Sequence, residues 1–129
     1  MPIAIAPALL ARLLDEAAST PAEEICGLLF GTRDRIAAAR PTRNVAADRR
    51  TWFEVDPAAL FAALRAERAG GPTLIGHYHS HPNGRAEPSP RDLAAAEPGR
   101  LWLIIGGGEA RAWLAEPGLF REMGIVTDR

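Results

Sequence analysis

A chain of 129 residues fits one domain, taken as residues 1–129, and leaves little room for a second. With 47% apolar residues it can bury a core, and a formal net charge of -1 argues against a nucleic-acid-binding surface. Every basic residue is an arginine, so no lysine is available for conjugation, and the one cysteine, Cys26, excludes an internal disulfide and a cysteine-rich zinc site.

In chain order, Met1-Pro2-Ile3-Ala4-Ile5 lacks the charged start and long apolar stretch of a signal peptide. No apolar run approaches the roughly 20 residues that span a bilayer, so a cytoplasmic location without membrane contact is expected. Leu9, Leu10, Leu13, Leu14 and Ala17 recur at helical spacing and predict a helix over Pro7 to Ala18, with Pro7 in its first turn. Ile25 to Gly31 reads as a strand, and Arg35 to Arg40 as its hairpin partner. Trp52 to Val55 reads as a short strand. It runs into Asp56-Pro57, an N-cap and first helical residue for a second helix that stops at Gly70-Gly71.

Thr73 to Ser80 predicts a strand, Ser89 to Ala96 a short helix, and the apolar run Leu101 to Ile105 a strand buried on both faces. Gly106-Gly107-Gly108 is a turn, since it lacks the Lys-Ser/Thr ending of a phosphate loop. Ala110 to Ala115 and one last strand near Phe120 to Thr127 complete the chain. The mixture predicts an α/β sheet flanked by helices. The three tryptophans read as core or edge packing, since nothing pairs them with a basic patch.

The chemistry concentrates in His77-Tyr78-His79-Ser80-His81-Pro82, which holds all three histidines. In a strand, residues 77, 79 and 81 line one face, so two imidazoles at its end can share a metal. Ser89-Pro90-Arg91-Asp92 has the form of a helix start, and Asp92 could simply complete a capping box. Two histidines and a carboxylate also make a catalytic zinc set, with the fourth position open. Upstream, Glu23 and Glu24 are both carboxylates, and in extended chain they point to opposite faces.

This pattern resembles the JAMM (MPN-plus) metalloproteases, whose motif is a distant Glu, then His-x-His-Pro, a loop and Ser-x-x-Asp. Here it reads Glu24-Ile25-Cys26-Gly27, His79-Ser80-His81-Pro82 and Ser89-Pro90-Arg91-Asp92, and it looks closest to the compact prokaryotic branch. The resemblance implies a single-domain MPN-type fold, like that of cytidine deaminases. It implies Zn2+ on His79, His81 and Asp92, Glu24 as general base, and Ser89 as an oxyanion donor. Glu23 and His77 lie outside the motif, His77 being expected to pack or line a pocket, and Cys26 to be a small buried residue.

The implied reaction is amide hydrolysis after the Gly-Gly tail of a ubiquitin-like protein. The stretch from Asp92 to Leu101 is too short for a ubiquitin-gripping insertion, so a small sulfur-carrier protein is the favoured substrate. A zinc deaminase is excluded, because its Pro-Cys-x-x-Cys signature needs two cysteines. DNA-repair-associated relatives carry a further domain for which this chain has no length. A non-catalytic MPN-type scaffold or metal-binding protein is the alternative.

Overall fold

The computed structural model describes residues 2–82 and 84–128; Met1, Asn83 and Arg129 lie outside it. In chain order the elements are β1 (Ile3–Ile5), α1 (Pro7–Ala18), β2 (Cys26–Thr32), β3 (Arg35–Thr42), α2 (Pro57–Arg68) and β4 (Leu74–Ser80). They continue with α3 (Pro90–Ala95), β5 (Leu101–Gly106), β6 (Glu109–Glu116), β7 (Leu119–Met123) and β8 (Ile125–Thr127).

All eight strands join one mixed sheet in the order β7-β6-β5-β4-β2-β3-β1-β8. The central pair β4 and β5 is parallel, which requires a crossover, and the loop containing α3 supplies it. Strands β7 and β8 stand at opposite ends of that order, yet only Gly124 separates them in sequence. One residue spans only about 7 Å between its neighbours' Cα atoms, so the sheet curls until its two ends meet.

One face of the sheet packs on α1. Leu13 is fully buried there with Ile3, Ile5, Leu29, Tyr78, Leu103 and Ile105, and Leu9, Leu10, Leu14 and Ala17 lean on them. The other face carries α2 over Leu28, Phe30 and Leu74, and beside it an aromatic cluster of Phe53 and Trp102 with Cys26 and Ile104. Every residue of β5 is buried, as its apolar run requires.

Two expectations fail. Trp52 to Val55 is not a strand: it makes only an isolated bridge, Asn44 to Val55, because it closes a loop held by side-chain hydrogen bonds. The last strand is two, since the chain changes partner at Gly124 from β6 to β1. The short β1 was not anticipated. It is formed by parallel pairing with β3 and β8, which are remote in sequence.

Candidate metal centre

Strand β4 alternates as expected. Tyr78 turns to the α1 face, while His77 and His79 turn to the aromatic cluster. Just beyond the strand end, the His81 amide donates to the Ile105 carbonyl at 2.8 Å, which keeps His81 against β5. The Nε2 atoms of His79 and His81 lie 3.0 Å apart.

His81 is oriented from behind, because its Nδ1 lies 2.9 Å from the Arg85 carbonyl. Donation of the Nδ1 proton to that oxygen leaves Nε2 with a free lone pair, as ligation demands. Gly106 makes this possible: a Cβ there would stand 2.6 Å from the Arg85 carbonyl carbon. His79 has no such partner on Nδ1. The Phe53 ring is stacked on it instead, with centroids 4.1 Å apart and planes 13° from parallel.

Helix α3 brings Asp92. Ser89 caps the helix by accepting the Asp92 amide at 3.0 Å, and the Ser89 amide donates to Asp92 Oδ2 at 2.8 Å. The capping box is therefore complete, and it serves to aim a carboxylate. Asp92 Oδ2 lies 3.3 Å from His81 Nε2, and Oδ1 lies 3.6 Å from His79 Nε2. Asp92 is only 1% exposed, and Oδ1 has no hydrogen-bond partner. Ser89 spends an oxygen lone pair on the cap and keeps its hydroxyl proton available to donate.

Glu24 arrives from the segment before β2 and is 7% exposed, with Oε1 unpartnered. Ligand atoms of Glu24, His79 and His81 all lie within 4.8 Å of one another. Glu23 points away and pairs with Arg49 at 3.3 Å. His77 stays out of the cluster, in contact with Trp102 and Phe53 at ring-centroid distances of 4.3 and 5.3 Å.

The two carboxylates differ in character. Burial pushes Glu24 up to about 7, with Asp92 adding to the rise and His81 opposing it. Burial also acts to raise Asp92, but the two imidazoles and the Ser89 amide outweigh it and hold the group well below the usual carboxylate range. Burial lowers His79, keeping it neutral, and lowers His77 to about 3. Burial opposes protonation of His81 too, yet Asp92 and the Arg85 carbonyl leave its pKa raised.

A buried carboxylate and two imidazoles whose facing atoms lie 3.0 to 3.6 Å apart suit a metal ion. A cation there would offset the buried Asp92 charge, which otherwise falls to His81, the one of the two imidazoles whose pKa is raised. The three elements also meet in a way that sequence reasoning missed. Arg91 stacks over Trp52, with its guanidinium carbon 4.1 Å from the ring centroid, and so ties α3 to the loop that carries Phe53. Trp113 likewise lies under Arg111, with the guanidinium carbon 5.0 Å from its ring centroid.

Known proteins share this frame. The family model described as prokaryotic homologs of the JAB domain matches residues 6–116. A desampylase of Haloferax volcanii is 35% identical over 126 residues, covering 93% of this chain and 89% of that protein. A probable TtuB-protein conjugate cleaving protease of Thermus thermophilus is 38% identical over 117 residues, covering 91% and 74%. The solution structure of a Desulfitobacterium hafniense protein superposes with a TM-score of 0.84 at 27% identity, covering 98% of this chain and 93% of that one. With the sheet, the histidine pair and the capped aspartate already in place, these matches make the chain a compact prokaryotic member of the JAMM (MPN-plus) metalloprotease family.

Proposed function

We propose that His79, His81 and Asp92 hold a zinc ion, and that Glu24 is the general base for hydrolysis of an amide bond. The substrate is a ubiquitin-like or sulfur-carrier protein, cut after its Gly-Gly tail. One observation carries the reading: two imidazoles with their Nε2 atoms 3.0 Å apart, the His79 ring fully buried and held neutral, face one carboxylate held ionised and another whose pKa is lifted to about 7. Two acids whose environments push their pKa values apart mark the division between a fixed charge and a proton carrier. Asp92, clamped by its capping box, suits ligation; Glu24 suits proton transfer.

Zinc, when bound, supplies Lewis acidity to the attacked carbonyl and lowers the pKa of water from 15.7 toward about 7. Glu24 accepts the proton of the attacking water and returns it to the leaving amine, help worth about 10²–10⁴ in rate. The Ser89 hydroxyl, its oxygen fixed by the cap, donates to the oxygen that gains charge. Phe53 and Trp102 keep bulk water from His79 on its buried side.

The similarity to a desampylase and to a probable TtuB-protein conjugate cleaving protease supports the substrate class. Since one sheet carries every strand among the described residues, residues 1–129 are read as a single catalytic domain. No helix among the described residues is long and apolar enough to cross a membrane, and Cys26 is a buried free thiol. The test is mass spectrometry of a small ubiquitin-fold protein extended beyond Gly-Gly, incubated with wild type and Glu24→Gln. Trimming to the glycines by wild type alone is expected, and Gly→Ala at the last glycine should slow it sharply. Equal cleavage of generic peptides would leave the zinc chemistry and sink the carrier role.

A further inference from the structure

Glu24 lies two residues before β2 begins, so the sheet ladder does not fix its backbone. Both of its main-chain polar groups are taken up elsewhere, by the segment spanning 44–54. The Glu24 amide donates to the Arg49 carbonyl at 2.7 Å, and the Glu24 carbonyl accepts from Asn44 Nδ2 at 2.9 Å. Asn44 is the centre of that segment. Its Nδ2 also donates to the Trp52 carbonyl at 3.0 Å, while Oδ1 accepts the amides of Ala46 and Glu54, each at 3.0 Å. Two donors and two lone pairs are everything a carboxamide has, and all four are engaged.

We propose that Asn44 is a positioning residue for the hydrolysis: its carboxamide sets the backbone of Glu24, and thereby the place where the base meets the attacking water. This rests on the reading of Glu24 as general base. No other side chain satisfies the same four partners. Aspartate keeps the shape but loses both donors, and would turn a carboxylate toward the Glu24 and Trp52 carbonyls. Glutamine keeps the groups but displaces them by a methylene. The four hydrogen bonds of the Asn44 side chain all go to main-chain atoms of residues 24, 46, 52 and 54, and none goes to the histidine pair or Asp92. Its loss should therefore spare the metal and strike turnover.

The experiment uses the zinc-loaded full chain and the Gly-Gly-extended carrier, with Asn44→Asp, Asn44→Gln, Glu24→Gln and the two double variants. Either Asn44 change is expected to lower kcat about 10–100-fold, the scale of a lost supporting hydrogen bond or a small misplacement of a catalytic group. KM and zinc stoichiometry should stay near wild type. In the Glu24→Gln background the same changes should cost no more than about twofold, because groups that act as a unit do not add.

A wild-type kcat well below the melting temperature would overturn the proposal, leaving Asn44 only a structural role. Loss of zinc, unfolding of both single variants, or full additivity with Glu24→Gln would overturn it too. If Glu24→Gln itself turns over normally, the base reading has failed, whatever Asn44 does. An inactive Glu24→Gln beside unaffected Asn44 variants sinks only the present proposal.

Discussion

The two faces of β4 bury polar groups in opposite ways. On the α1 face, Tyr78 is fully buried and its hydroxyl donates to Glu16 Oε1 at 2.9 Å. Gly27 leaves room for that ring, which a Cβ on β2 would strike. On the other face, Glu24 Oε1, His77 Nδ1, His79 Nδ1, Asp92 Oδ1 and Trp102 Nε1 are buried without partners, and these are all such side-chain atoms among the described residues. Buried polar groups in native proteins are nearly always paired. On the first face the buried hydroxyl is satisfied; on the second, Glu24 Oε1 and Asp92 Oδ1 stand open beside the histidine pair, while the ring nitrogens of His77, His79 and Trp102 are left unpaired among aromatic rings. A local breach of the packing rules marks the functional side of one strand.

Metal removal tests this contrast most severely. Wild type should hold about one zinc per chain, in keeping with a three-ligand open site. Asp92→Ala and His81→Ala should each lose most of it and fall to background turnover, as metal analysis beside the cleavage assay will show. Full zinc in Asp92→Ala would transfer ligation to Glu24, which also reaches the histidine pair.

Next comes the base. Glu24→Gln should keep zinc and fold while losing about 10²–10⁴ in kcat. Glu23→Gln removes only a half-exposed ion pair with Arg49 and should be nearly silent. An exchange of these phenotypes would mean that the extended segment before β2 faces the other way.

The sequence disclosed the features that depend on near neighbours. The helix over Pro7–Ala18 followed from five apolar positions, and the start of α3 from Ser89, Pro90 and Asp92, whose capping box is local chemistry. The facing of His79 and His81 followed from strand alternation alone. Glu24 was different: the family pattern singled it out, and only the fold carries it across β2 to the histidines. What escaped notice was long-range. Three residues of β1 carry too little pattern to announce a strand that exists through pairing with β3 and β8. The aromatic alternation of Trp52-Phe53 imitated a strand, while its true partners are Arg91 and His79. Asn44 gave no signal, because its importance lies in meeting Glu24, 20 residues away, and Trp52 and Glu54 beyond it.

On the satisfied face, Tyr78→Phe removes the one donor to Glu16 Oε1 at the α1–β4 contact. A loss of about 1 kcal/mol in denaturant unfolding is expected, with zinc content and kcat unchanged. A drop in kcat at unchanged metal would show that the two faces are not independent. Across the strand, Phe53→Leu removes the ring stacked on His79. An aromatic pair is worth about 0.5–1.5 kcal/mol beyond its area, so zinc should bind at most about two- to thirteenfold more weakly, with Phe53→Tyr restoring it. A chelator titration separates the two variants.

His77 gives the smallest effect and the sharpest sign. It shares the face of His79 but, among the described residues, makes no ion pair with a carboxylate and has no place in the ligand cluster. Its ring packs against Trp102 and Phe53, its Nδ1 is unpartnered, and burial holds it neutral by lowering its pKa to about 3. A phenyl ring would keep that packing and remove a buried nitrogen that contributes nothing to a hydrogen bond. Since an unsatisfied buried polar group costs about 1–3 kcal/mol, His77→Phe should leave stability unchanged or raise it, with zinc stoichiometry intact. Thermal melting and metal analysis on one preparation decide the matter. If His77→Phe sheds zinc as His81→Ala does, the unpartnered nitrogen was a ligand, and the centre is a three-histidine site.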